Sequence, residues 1–164
     1  MKPFVVRPAR EEDCGSIAAM VLSLAADHGV DSGTTAAGLI EAAFGPKTTI
    51  EMLVASADER IVGYLIHQDT YSTWRGANGV FVVDLYVEPV WRGSRVGEAL
   101  MKAAARRGLE KGARFMRLDI DMHNVKAARF YDRLGFREQS EDRFRSLEFP
   151  GMSRLSNPDP SLTF

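Results

Sequence analysis

The chain has 164 residues, enough for one domain with a proper core and few for two. Charged residues make up 26% and hydrophobic ones 45%, ordinary for a soluble globular protein, and a net charge of −1 with scattered arginines leaves no basic run to attract nucleic acid. Apolar runs such as Val80 to Val83 fall far short of the ~20 residues a membrane helix needs, the opening MKPFVVRPAREED turns acidic at once, and the single Cys14 lacks a disulfide or metal companion; the expectation is a cytoplasmic protein.

Phe4, Val5 and Val6 read as a short first strand. From Glu11 the pattern is helical, with Ile17, Met20, Val21 and Leu24 on one stripe and Gly29 as the stop. A second helix, about Thr34 to Phe44, ends at Gly45-Pro46. Ile50 to Ala57, the turn Asp58-Glu59-Arg60 and Ile61 to about Thr70 form a hairpin by composition. Tyr71 to Gly79 reads as a loop around Gly76 and Asn78-Gly79, and Val80 to Val87 as a central strand whose one charge is Asp84. Val96, Ala99, Leu100 and Ala103 make a helical stripe that stops at Gly112, with Glu98, Lys102 and Arg106 on the solvated face.

Phe115 to Asp121 is the next strand, and Val125 to Leu134 the next helix, with Ala127, Tyr131 and Leu134 on its stripe. Phe136 onward, with Phe144, Leu147 and Phe149, suggests one or two last strands. Residues 1–155 are expected to form a single domain and 156–164 a mobile tail. Strands before, between and after helices imply an α/β fold with a mixed sheet, and the strand-helix order from Val80 to Leu134 demands a parallel crossover.

Between Val87 and Leu100 the strand gives way to a turn that opens into a helix. Gly93 and Gly97 let the main chain pass close to a ligand, the unpaired amides of a helix start attract phosphate oxygens, and Arg92 and Arg95 add charge-assisted donors. Spacing alone leaves a solvent-exposed helix start as an equal reading. Neither GxxxxGK[ST] nor GxGxxG is present at this turn, which removes a P-loop and weakens a dinucleotide site.

The run from Val83 to Leu100, with Asn124, Phe130-Tyr131 and Leu134-Gly135-Phe136 downstream, resembles the GNAT superfamily of acyl-coenzyme A-dependent N-acetyltransferases. The signature [Q/R]-x-x-G-x-[G/A] here reads Arg92-Gly93-Ser94-Arg95-Val96-Gly97, with Arg95 in place of the first signature glycine. The resemblance covers most of the chain. Tyr71-Ser72-Thr73-Trp74 and Asp84-Leu85-Tyr86-Val87 are similar to the spermidine/spermine and thialysine acetyltransferase branch, although Val83 stands where that branch has an acidic residue, which points away from a polyamine acceptor.

The resemblance implies a mixed, largely antiparallel central sheet with a parallel β-α-β crossover and helices on both faces. It implies acetyl-CoA as cosubstrate, a small-molecule amine as acceptor and a homodimer. The main chain of Leu85, Tyr86 and Val87 would pair with the pantetheine arm, and Gly93 through Glu98, led by Arg92, would cradle the pyrophosphate. Asn124 and Ala127 would line the far side of the coenzyme, Ser72 and Trp74 would contact the acceptor, and Tyr131 would protonate the leaving thiolate.

From the residues themselves, Tyr131 is either that acid or a core aromatic, since a phenol titrating near ~10 can donate to a thiolate. Asp84, a charge in a buried strand, either binds the acceptor ammonium and takes its proton through water, or pairs with an arginine or a backbone amide at a bulge. Asp119 and Asp121 alternate, as an amine-binding wall, a solvated face or a turn cap. His67 and His123 are isolated, so no metal site is expected, and Cys14 reads as core. Two other readings stay open: acetylation of a protein N-terminus or lysine, and a coenzyme-binding module without turnover.

Overall fold

A computed structural model describes residues 3–139 together with Met152. Its contacts divide the chain into two compact units, Met1–Val125 and Lys126–Phe164. The expected strands at Phe144, Leu147 and Phe149, and the tail from residue 156, lie outside the described residues.

The first unit is built on five strands in the order β1 (Val5–Pro8), β2 (Glu51–Ala57), β3 (Arg60–Ser72), β4 (Ala77–Val87) and β5 (Phe115–Leu118). Neighbours pair antiparallel except β4 and β5, which run parallel and are joined through α3 (Val96–Glu110). This is the mixed, largely antiparallel sheet with one crossover that the resemblance implies.

Two helices precede the second strand. α1 (Cys14–Asp27) follows a short turn at Glu11–Asp13, where the buried Asp13 accepts two hydrogen bonds from the Arg7 guanidinium, at 2.6 and 2.9 Å, and one from the Arg10 amide at 2.7 Å. These bonds, Arg7's first, hold the Asp13 carboxyl below its ordinary range. α2 (Ala36–Phe44) begins where Thr35 Oγ1 accepts from the Gly38 amide at 3.0 Å, as an N-cap threonine does. Cys14, Ile17, Val21 and Leu39 from these helices bury against Met52, Val54, Tyr64, Ile66 and Tyr86 on one face of the sheet. Cys14 is core, as expected.

α3 covers the other face. Its buried positions, Val96, Leu100, Met101, Ala104 and Gly108, recur at helical spacing, and each large one contributes about 1.5–3 kcal/mol by leaving water. Ala99 and Ala103, expected on this stripe, are half-buried beside it.

Three sequence expectations need correction. The first strand runs Val5–Pro8 and not from Phe4, because Val5 to Pro8 are the residues that find partners on β2. The expected loop from Tyr71 to Gly79 shrinks to residues 73–76, since Thr70 to Ser72 pair with Ala77 to Gly79 and continue the ladder. Gly79 is a packing glycine and not a turn residue: a Cβ there would collide with the Phe115 ring. β5 ends at Leu118, so Asp119 and Asp121 share no strand face, and Asp121 instead accepts from the His123 amide at 2.8 Å to close a turn.

The second unit holds α4 (Val125–Arg133), where Tyr131 stands edge-on to Phe130 and Phe136 at centroid distances of 5.0 and 5.6 Å. Its carbonyl accepts from the Leu134 and Phe136 amides at 3.0 and 3.1 Å, ending the helix at Gly135, which adopts a positive φ of 92°.

Candidate active site

β4 changes its environment halfway along. From Gly79 to Val82 it is paired on both sides, with β3 and with β5. Beyond Val82 it has no β5 partner, and the residue at that point is a bulge: Ile66 pairs with Asp84 and His67 with Val82, which leaves Val83 opposite nothing and 43% exposed.

The bulge has two consequences. It reverses the alternation of faces, so Val80 and Val82 point toward α3 whereas Asp84, opposite Ile66, points to the α1 face. It also coincides with the departure of β5, so that the main chain from Val83 to Val87 has an open edge among the described residues.

Pair types alternate along an antiparallel ladder, and the Glu88 amide donates to the Val62 carbonyl at 3.0 Å. Counting back by twos, Tyr86 uses its main-chain groups on β3, while those of Leu85 and Val87 turn toward the open edge. Of the three residues expected to pair with a pantetheine arm, two are therefore presented by their main chain. Tyr86 contributes its ring, stacked on Tyr64 at 6.0 Å.

The turn after β4 is tied back to it. Arg92 Nε donates to the Val87 carbonyl at 3.1 Å, and its guanidinium lies 5.8 Å from the centre of the Tyr86 ring. Gly93 and Arg95 both adopt left-handed backbone, with φ of 80° and 65°. Arg95 thus keeps the backbone region that a glycine in the signature position favours, at a strain of about 1–2 kcal/mol. It is the N-cap of α3 and makes no side-chain cap bond. Among the described residues the Val96 and Gly97 amides have no acceptor, and Ser94 donates to the Trp91 carbonyl at 3.2 Å.

Gly63 fixes where that helix start sits. A Cβ on it would press against the Tyr86 carbonyl and the Val96 side chain, so its absence lets Val96, 1% exposed, settle onto β3 and β4. Glu98, in the first turn, pairs with Lys102 at 2.6 Å.

Asp84 is half-buried and, among the described residues, has no hydrogen bond or ion pair; burial pushes its carboxyl above the ordinary value. The alternative of a bulge amide or an arginine as partner is not met within those residues. Tyr86 and Glu88 also line a cleft of about 1060 Å³ on the α1 face, with Arg7, Arg10, Met20 and Arg60.

Ser72 and Trp74 occupy the opposite end of the hairpin. Ser72 pairs with Ala77, and from there to Asp84 is about 23 Å at roughly 3.3 Å per residue, so this unit does not bring them together. Ser72 Oγ accepts from the Arg75 amide at 3.2 Å, and Trp74 is 99% exposed. Asn124, whose amide donates to the Asp121 carbonyl at 2.8 Å, belongs to the first unit, while Ala127 and Tyr131 belong to the second. The described residues gather no three His, Cys, Asp or Glu side chains able to hold a metal, and no described helix is long and apolar enough to cross a membrane.

Residues 39–136 match the model of the acetyltransferase (GNAT) family. The chain belongs to that family and is an acetyl-transferring enzyme. It is related to thialysine N-epsilon-acetyltransferases: 32% identical to that of Sus scrofa over 92% of this chain and 95% of the relative, and 34% to that of Mus musculus over 89% and 92%. Among solved structures, an integron cassette protein from the mobile metagenome of V. cholerae shares the fold at a TM-score of 0.78 and 16% identity, covering 94% of this chain and 98% of its own.

Proposed function

We propose that the enzyme moves the acetyl group of acetyl-CoA directly to a primary amine of a small molecule, with both substrates bound together. The observation that carries this reading is the continuity of the open edge at Leu85 and Val87 with the uncapped Val96 and Gly97 amides. The edge suits an amide-bearing pantetheine arm, and the amides with Arg92 and Arg95 suit a diphosphate. Bound there, acetyl-CoA supplies an activated thioester.

In this reading the chain's residues divide the work. Asp84, unpaired and pushed toward protonation by burial, holds the acceptor ammonium and takes its proton, directly or through water. The freed nitrogen then bonds to the acetyl carbon as the carbon–sulfur bond breaks, Tyr131 gives its phenolic proton to the sulfur, and the proton that the nitrogen sheds in becoming an amide returns, through water, to the phenolate. Asn124 and Ala127 flank the coenzyme. Ser72 and Trp74, distant from Asp84 in their own chain, contact the acceptor from the second copy of a homodimer.

The relatives' names supply the first acceptor to try. Purified enzyme with acetyl-CoA and thialysine, lysine, spermidine or a lysine peptide is followed by free-thiol release. Release with thialysine or lysine above the spermidine and peptide arms is expected. Release with the peptide alone would move the assignment to protein acetylation, and coenzyme binding without release in any arm would mark a non-catalytic module. Tyr131→Phe is expected to bind coenzyme normally and lose at least ~100-fold in turnover; unchanged turnover removes its role as acid.

A further inference from the structure

Tyr64, which the sequence reading did not single out, lies on β3 opposite Tyr86 and two residues from Ile66, the partner of Asp84. Tyr64 and Asp84 are therefore diagonal neighbours on the α1 face, about 7–8 Å apart at the backbone and within reach of an aromatic side chain. Tyr64 is fully buried, at 0% exposure, and its hydroxyl has no hydrogen-bond partner among the described residues.

A buried hydroxyl without a partner is costly, and an apolar phenylalanine would fill the same stacked position on Tyr86 without that cost. The unpaired group beside it is the Asp84 carboxylate. Other charged groups on this face have partners elsewhere. Arg7 pairs with Asp13, Arg10 with Glu12 and Arg60 with Glu88, Arg92 lies over Tyr86, Arg117 lies over Phe81, and Cys14 sits in the core. Asp84 also bears on Tyr64 electrostatically, adding to burial in keeping the phenol protonated and able to donate.

We propose that Tyr64 is a positioning residue for acetyl transfer: its phenol reaches Asp84 through one bridging water and holds that carboxylate oriented and ionised for the acceptor amine. The proposal rests on the reading of Asp84 as the amine-handling group. Tyr64 touches no substrate; it acts through Asp84.

The test compares Tyr64→Phe, Asp84→Asn and the double variant with the wild-type chain. Two readouts are taken: the pH profile of kcat/KM with acetyl-CoA and thialysine, and the carbon-13 titration of the Asp84 carboxyl without substrates. Tyr64→Phe is expected to bind coenzyme unchanged and to melt slightly lower at neutral pH, where the Asp84 carboxylate loses its donor, but no lower at acid pH, where that carboxyl is protonated. Its Asp84 titration and the acid limb of its profile should move up by about one pH unit, so that kcat/KM on that limb falls about tenfold. On the Asp84→Asn background, Tyr64→Phe should cost nothing further. An Asp84 titration that superimposes on wild type, or a tenfold loss that persists in the double variant, overturns the proposal. If Asp84→Asn retains full activity, the reading of Asp84 fails, whereas the substrate-free titration still decides whether the phenol and carboxylate are coupled.

Discussion

Glu51 on β2 and Asp84 on β4 are carboxylates held against opposite faces of one sheet. Glu51 receives Arg107 Nη2 at 2.8 Å and the Lys111 ammonium, which also reaches Asp69 at 3.2 Å. Burial would raise the Glu51 carboxyl, but the Lys111 and Arg107 hydrogen bonds outweigh it and hold the group below its ordinary value. Asp84 has the burial without such bonds, and its carboxyl is pushed the other way. A carboxylate matched by its neighbours serves the fold; one that the fold leaves unmatched beside an open strand edge is available for chemistry.

The difference can be broken by substitution. Asp84→Asn is expected to lower kcat/KM by about 10²–10⁴-fold, the usual worth of a positioned base, and at the same time to raise the melting temperature at neutral pH. The sign follows from the upward shift: a raised carboxyl stabilises the fold while protonated, below the ordinary carboxylate range, and loses that contribution as pH rises through the raised value. Loss of activity with loss of stability would mark Asp84 as structural. Glu51→Gln should do the opposite, keeping kcat/KM and costing about 1 kcal/mol, a figure kept low because Arg107 and Lys111 are 38% and 44% exposed. Its contribution is present above the ordinary carboxylate range and fades as pH falls through the lowered value, which acid melting curves of the two chains would show.

A buried imidazole extends the comparison on the Glu51 face. His67 is 1% exposed with neither ring nitrogen bonded among the described residues, and burial pushes it below its ordinary 6.5. Its neutral form stabilises the fold above that ordinary value, and the contribution is lost as pH falls through the lowered one. Melting temperature should therefore drop between pH 7 and pH 5, with a shallower slope in His67→Met; equal slopes would refute it. The smallest effect expected is at the turn before α3. Arg95→Gly should weaken coenzyme binding a few-fold, less so at high salt, because it removes an exposed guanidinium while relieving the left-handed backbone.

Much of this arrangement was legible in the residues. The stripes of α1 and α3 and the strand at Val80 to Val87 carry their own periodicity, and Arg92 to Gly97 carries a signature with a physical reason. The bulge was not legible, because VFVVDLYV is apolar on nearly every position and such a run shows no alternation that an extra residue could interrupt. The face on which Asp84 lies was hidden for the same reason. Asn78-Gly79 has turn composition, and only the Phe115 ring packed against Gly79 reveals why a glycine stands in a strand. Tyr64 gave no signal inside an apolar run, since its hydroxyl matters only once cross-strand register sets it diagonal to Asp84.

Amide hydrogen exchange with and without acetyl-CoA tests the central claim most directly. Binding should slow exchange at Leu85, Val87, Val96 and Gly97, and leave β2 and the hairpin end at residues 73–76 as they were. Saturating coenzyme with unchanged exchange at those four amides would contradict the account.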